Sequence, residues 1–194
     1  MQRRHFIKTS ALASSSLLFS GCLFSSKTSH VLTLSFDDGL KKSFYRTAEI
    51  HEEYGLKACL NVIATGHFKT FSTNPEWIPQ NLLGNFDDWN TLNQHGHEIM
   101  PHSWKHLNLT EIPINVAKQN IDKCLNYFEK NLDNYTSESA VYNFAYNASN
   151  KDLDDYTLSK VKAIRTCGWL VLNNSKANTI PVSNKQLPMR LGTW

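Results

Sequence analysis

Apolar residues along this chain alternate between short unbroken runs and spaced stripes. Val31 to Phe36 (VLTLSF) is an unbroken run rich in aliphatic and β-branched residues, which predicts a strand buried in a sheet. Lys41 to Tyr54 then carries Phe44, Tyr45, Ala48, Ile50 and Tyr54 at helical spacing and closes at Gly55, which predicts an amphipathic helix. Leu56 to Ala64 repeats the strand pattern, and His67 to Phe86 is a loop-rich insertion that holds Trp77 and Pro79. A short helix over Trp89 to His95, a strand over His97 to Met100 and a long covering helix over Ile112 to Leu132 follow. The long helix draws its apolar face from Val116, Ile121, Cys124, Leu125, Phe128 and Leu132. Ala140 to Tyr146 is a fourth strand, Leu153 to Val161 a helix and Ala163 to Thr166 a fifth strand, while Trp169 to Trp194 carries no assignable pattern. Strands alternating with helices place the chain in the α/β class with a parallel sheet or barrel.

The first strand stops at Asp37-Asp38-Gly39. Gly39 frees the backbone to turn directly after the acids, so both carboxylates can reach one site at the sheet rim. Paired acids in different environments divide labour: one holds a metal ion while the other takes a proton from water. The structural alternative is that Asp37 or Asp38 caps the next helix. Phe86-Asp87-Asp88 repeats the triplet with no apolar strand before it and no Gly after it, so Asp87 or Asp88 reads there as a helix N-cap.

A second candidate follows the third strand, Pro101-His102-Ser103-Trp104-Lys105-His106. Two histidines four apart on a helical turn project from one face within reach of one cation. Like the acid pair, they come just after a strand and belong at the same rim of a parallel sheet. His51, His95 and His97 lack that setting and read as surface or packing residues, His97 being the best placed to support a metal ligand.

The start of the chain is of another kind. Arg3-Arg4-His5-Phe6-Ile7-Lys8 fits a twin-arginine export signal, and Ala11 to Phe19 is too short to span a bilayer. Phe19-Ser20-Gly21-Cys22 resembles a bacterial lipobox, with Cys22 as the lipidated residue. The expected organisation is an export signal over 1–22, a polar tether over 23–30 and one domain over 31–194, carried to the cell envelope and anchored in a membrane through lipid. A net charge of +3, part of it in the signal, argues against a nucleic-acid footprint. Cys59, Cys124 and Cys167 form neither a disulfide framework nor a zinc pattern and read as small apolar side chains.

Taken in order, LSFDDG at Leu34 to Gly39, HGHEIMPHSWKHLNLT at His95 to Thr110, NFAYN at Asn143 to Asn147 and IRTCG at Ile164 to Gly168 resemble the polysaccharide deacetylase family, carbohydrate esterase family four. The resemblance implies a distorted (β/α) barrel, left incomplete here by a count of about five strands, where such barrels commonly run to roughly 200 residues or more. It implies Asp37 as catalytic base, and Asp38, His102 and His106 as ligands of a divalent metal, commonly zinc. It also implies removal of N-acetyl or O-acetyl groups from an extracellular polysaccharide or oligosaccharide. The oxyanion donor falls by motif match on the backbone N–H of Ala148, with Tyr146 and Trp104 as substrate neighbours. Two departures stand out. The third motif reads Tyr146-Asn147-Ala148-Ser149 where the family usually has Pro, an aromatic residue and Gly, and Ala145 replaces a frequent Arg. The family's late histidine, which protonates the leaving amine, has no counterpart after His106 in these 194 residues, so the expectation is a poor amidase biased towards esters. The departures also keep open a weakened relative that binds glycan through Trp77, Trp104 or Trp169. Two histidines and a carboxylate also describe non-haem iron sites, but the Asp-Asp-Gly rim and the motif order argue against one.

Overall fold

Six short parallel strands and four helices alternate along the chain in the computed structural model, which describes residues 34–73, 78–167 and 189–193. The strands are β1 (Ser35–Phe36), β2 (Cys59–Val62), β3 (Glu98–Pro101), β4 (Val141–Asn143), β5 (Ala163–Cys167) and β6 (Met189–Thr193). The helices are α1 (Lys41–Glu53), α2 (Phe86–Gln94), α3 (Ile114–Asn131) and α4 (Lys151–Leu158). Two three-stranded sheets result, ordered β1-β2-β3 and β4-β5-β6, with every pairing parallel. Between them the ladder breaks. β3 and β4 lie side by side, joined by Val141 N–H donating to Met100 Sδ (3.5 Å) and Asn143 Nδ2 donating to the Pro101 carbonyl (3.3 Å). Arg165 on β5 reaches across to Ser35 and Asp37, so the sheets close around a common interior as an interrupted (β/α) barrel.

The core holds the helices against the strands. Phe44, Trp89, Ile121, Phe128, Tyr142, Phe144, Leu153 and Ile164 are all buried. In α3 the buried stripe is Ala117, Ile121, Cys124, Leu125 and Phe128; Val116, counted above on the apolar face, is 44% exposed, and Ala117 takes the inward position one residue on. Such a stripe, one residue every three or four, is what tertiary packing of a helix requires.

Other differences from the sequence reading have local causes. The described part of the first strand is only two residues, because the chain turns at Asp37; Val31 to Thr33 lie outside the described residues, as do Trp77 and Trp169. α2 begins at Phe86, not Trp89, and neither acid is its N-cap. Asn85 caps it, its side chain accepting from Asp88 N–H, while the Asp88 carboxylate accepts from Asn85 N–H, a reciprocal capping box. β4 ends at Asn143 because the next residues curl into a tight 3₁₀ turn, Ala145–Asn147. β6 lies in the stretch that showed no pattern. His97 is buried at the start of β3, away from the histidines that follow its end. It accepts from Ala58 N–H at Nδ1 (3.1 Å) and meets Glu52 at Nε2 (3.2 Å), so it fastens β2, β3 and α1 and supports no metal ligand.

Candidate metal centre and active site

The acid pair is aimed by backbone strain. Asp38 has φ of 77° and Gly39 of 85°, both in the left-handed region, so the chain reverses immediately after β1. Gly39 also lies against Trp89, where an added Cβ would meet the indole at 3.3 Å. A carboxylate on a non-glycine residue held at positive φ is a feature that clusters at functional sites.

His102 and His106 reach the same place along an irregular loop, not the helical turn expected from their spacing. Ser103 (φ 68°) and His106 (φ 55°) both take left-handed conformations. The loop is tied to the exit of β2: His102 N–H donates to Val62 O (2.8 Å), Ala64 N–H to Ser103 O (3.1 Å) and Thr65 N–H to Trp104 O (3.2 Å). Thr65 Oγ1 adds a 2.6 Å bond to the Trp104 carbonyl, and Ser103 Oγ accepts from His106 N–H at 2.8 Å. Both imidazoles are buried, with ring centroids 5.1 Å apart.

Asp38 Oδ1 lies 3.4 Å from His102 Nε2 and 3.3 Å from His106 Nε2. His102 Nδ1 donates to the Asn143 carbonyl (3.1 Å), which fixes the tautomer and turns the Nε2 lone pair towards Asp38. Asp38 Oδ1 is buried and accepts no hydrogen bond among the described residues. Lone pairs facing one another in a buried site call for a cation among them. The spacing suits one: ligand atoms about 2.0–2.1 Å from a tetrahedral metal stand about 3.3–3.4 Å apart. The three donor atoms lie within 4.8 Å of one another, and the residues fit a divalent metal. Burial raises the Asp38 carboxyl, but the His102 and His106 rings beside it outweigh this and hold it well below the usual carboxylate range.

Asp37 faces the same cleft with different partners. Its Oδ1 accepts from Asn61 Nδ2 (2.8 Å) and its Oδ2 from Arg165 Nη2 (2.7 Å), while Arg165 Nη1 donates to Ser35 Oγ (2.7 Å). Burial raises the Asp37 carboxyl; the Arg165 hydrogen bond, the nearby His102 and the Arg165 charge bring it below its ordinary value. Asp37 is therefore ionised and ready to accept a proton at neutral pH. Asn61 is in turn held by Asn143 Nδ2 (2.9 Å) on its Oδ1. Asn143 thus supports both halves of the site, through its carbonyl on His102 and through its side chain on Asn61 and Asp37. Asn61 and Arg165 were not singled out in the sequence. Arg165 occupies an alternating strand pattern in which a lone cation is the one signal, and Ala145 stands where the family's frequent Arg would be.

Asp37, Asp38, His102, His106, Tyr146 and Asn147 line a cleft of about 180 Å³. Tyr146 is half exposed, with its ring centroid 4.7 Å from that of His106. Trp104 does not line the cleft; its indole packs edge-on against Phe68 and Tyr127. Ala148 N–H, the donor implied by the motif match, is already bonded to Ala145 O at 3.1 Å as the 3₁₀ turn closes.

Several solved structures share this architecture. A de-N-acetylase from Aggregatibacter actinomycetemcomitans is 15% identical, with a TM-score of 0.62 over 82% of this chain and 68% of that one. The Streptococcus pyogenes deacetylase PplD, in complex with acetate, is 17% identical, with a TM-score of 0.60 over 82% and 62%. IcaB from Ammonifex degensii is 10% identical, with a TM-score of 0.59 over 84% and 67%. The chain therefore spans about two thirds of the length of these structures, and at such identities the likeness establishes the fold. No curated protein matches the chain. The polysaccharide deacetylase family profile matches residues 25–164, a stretch that contains both strand-end motifs and their geometry. The chain belongs to the polysaccharide deacetylase family of hydrolases.

Proposed function

We propose that this protein is a metal-dependent deacetylase that removes acetyl groups from a polysaccharide or oligosaccharide outside the cytoplasm. The observation that carries the reading is the convergence of Asp38, His102 and His106 on one point beside an ionised, differently held Asp37. Asp38, His102 and His106 would hold the metal, with zinc the favoured ion for two imidazoles and a carboxylate. When bound, the metal supplies Lewis-acid polarisation of an acyl oxygen and lowers the pKa of water. Asp37 accepts the proton of the attacking water through the carboxylate that Arg165 and Asn61 orient. The water oxygen bonds to the acetyl carbon, the bond from that carbon to the sugar nitrogen or oxygen breaks, and the leaving atom takes up a proton. Acetate and a free amine or hydroxyl result.

Export and lipid anchoring at Cys22 are proposed from the twin-arginine pattern and the lipobox, both outside the described residues. No described helix is long and apolar enough to cross a membrane. The experiment is to load the protein with Zn²⁺ and measure acetate released from acetylated chitin, peptidoglycan and xylan fragments, alongside matched N-acetyl and O-acetyl sugars. Release from at least one is expected. No release from any would remove the catalytic reading and leave a glycan-binding one.

A further inference from the structure

Hydrolysis of an acetyl group places negative charge on the acyl oxygen, and a donor fixed in advance at that point contributes about 10²- to 10³-fold in rate. The backbone of the third motif has little to offer. Ala148 N–H is bonded to Ala145 O and Asn147 N–H to Phe144 O, each at 3.1 Å. The Asn147 side chain is different. It lines the cleft with Asp37, Asp38, His102 and His106, and its Oδ1 is closed off from solvent with no hydrogen bond among the described residues. With Oδ1 closed off, the carboxamide's other polar end is Nδ2, a donor. Its base is fixed as well: the Asn147 carbonyl accepts from Thr166 Oγ1 (2.8 Å), and Thr166 Oγ1 pairs with Ser149 Oγ (2.7 Å).

We infer that the Asn147 carboxamide is the oxyanion donor of this site, its Nδ2–H donating to the acyl oxygen as the carbonyl becomes tetrahedral. The residue is catalytic in that it touches the reacting group, and it takes over the role that the motif assigns to a backbone N–H. This rests on the deacetylase reading. A purely structural role is the rival explanation, since Asn147 has φ of 51° and Asn tolerates that region better than most residues.

Asn147→Gly separates the two, because Gly accepts positive φ and lacks only the carboxamide. Zn²⁺-loaded Asn147→Gly is expected to bind one metal per chain as the parent does, to lose about 10²- to 10³-fold in kcat on an acetylated sugar, and to change KM little. Asn147→Asp, which keeps the shape and removes the donor, should lose at least as much. Calorimetry supplies a second readout: a phosphonamidate analogue of an N-acetylated sugar, which presents tetrahedral anionic oxygens, should bind Asn147→Gly about 10²-fold more weakly, while acetate binding changes far less. A parent that releases acetate and an Asn147→Gly variant within about twofold of it would overturn the inference and leave the deacetylase reading standing. If the parent releases no acetate yet Asn147→Gly selectively loses the analogue, the donor stands and the reading falls. Loss of neither acetate release nor analogue binding overturns the role outright.

Discussion

Replacing Arg165 by Met tests how the base is held. Met keeps much of the apolar stem and removes the guanidinium that donates to Asp37 Oδ2 and Ser35 Oγ, each at 2.7 Å. Hydrogen bonds to charged partners contribute about 1.5–3 kcal/mol each when buried. The Arg165 side chain is only 8% exposed, but that of Asp37 is 34% exposed, so solvent screens part of the ion pair. A net loss of about 2–3 kcal/mol at neutral pH follows, which for a domain of this size lowers the midpoint of thermal unfolding by about 4–12 °C. The loss depends on pH in a defined sense. Burial raises the Asp37 carboxyl and Arg165 more than offsets it, so its folded pKa lies below the ordinary value of 3.8. A depressed carboxyl adds stability that is fully present above the unfolded value and disappears as pH falls through the folded one. Parent and Arg165→Met should therefore differ fully at pH 7 and converge as the pH is taken below about 4. In turnover, the acid limb of kcat/KM should move to higher pH in the variant, since its Asp37 ionises later. Thermal unfolding by circular dichroism across this range, with a pH profile of acetate release, reads both. An Arg165→Met protein that melts within about 1 °C of the parent at pH 7 and keeps its acid limb would refute the reasoning.

Further expectations concern separate parts of the site and its frame. His106→Ala and Asp38→Ala should each lose the divalent metal, by elemental analysis after dialysis, because each removes one of three converging ligands. Asn143→Ala should cost about 1–3 kcal/mol in chemical denaturation, since it leaves the buried Asn61 Oδ1 with only the weak Cys59 thiol donor, and should slow turnover through Asp37 while the His102 bond to the residue-143 carbonyl is kept. Gly84→Ala places a Cβ 2.5 Å from the Trp89 ring and should destabilise by about 1–3 kcal/mol, measured by the denaturation midpoint.

What the sequence makes legible here follows from how local each cause is. The helices and the two strand-end motifs rest on spacing and on turn chemistry within a few residues, and α1, α3, β2, β3 and β5 lie where the pattern puts them to within a few residues at either end. Asp37, Asp38, His102 and His106 are visible because their residue types sit where parallel strands end, although the loop that joins the histidines is irregular. Asn61, Asn143 and Arg165 act through contacts 24 to 128 residues apart, and no local pattern encodes such a distance. Two acids at a helix start look alike in sequence whether they occupy the cap or the third helical position, and at α2 it is the preceding Asn85 that caps. Why the Ala148 N–H is bonded within its own turn is conformational: Tyr146 and Asn147 both take positive φ, and the turn they make engages the N–H that follows.

The central claim is that a metal held by Asp38, His102 and His106 works with Asp37 as a base. It is tested most directly by acetate release from parent and Asp37→Asn, each first brought to one metal ion per chain. The amide keeps the shape of the carboxylate and its oxygen can still accept from Arg165, while its NH2 gives up the bond from Asn61 Nδ2, so metal content should be equal while the rate falls by about 10²- to 10⁴-fold. Equal rates at equal metal content would contradict the account.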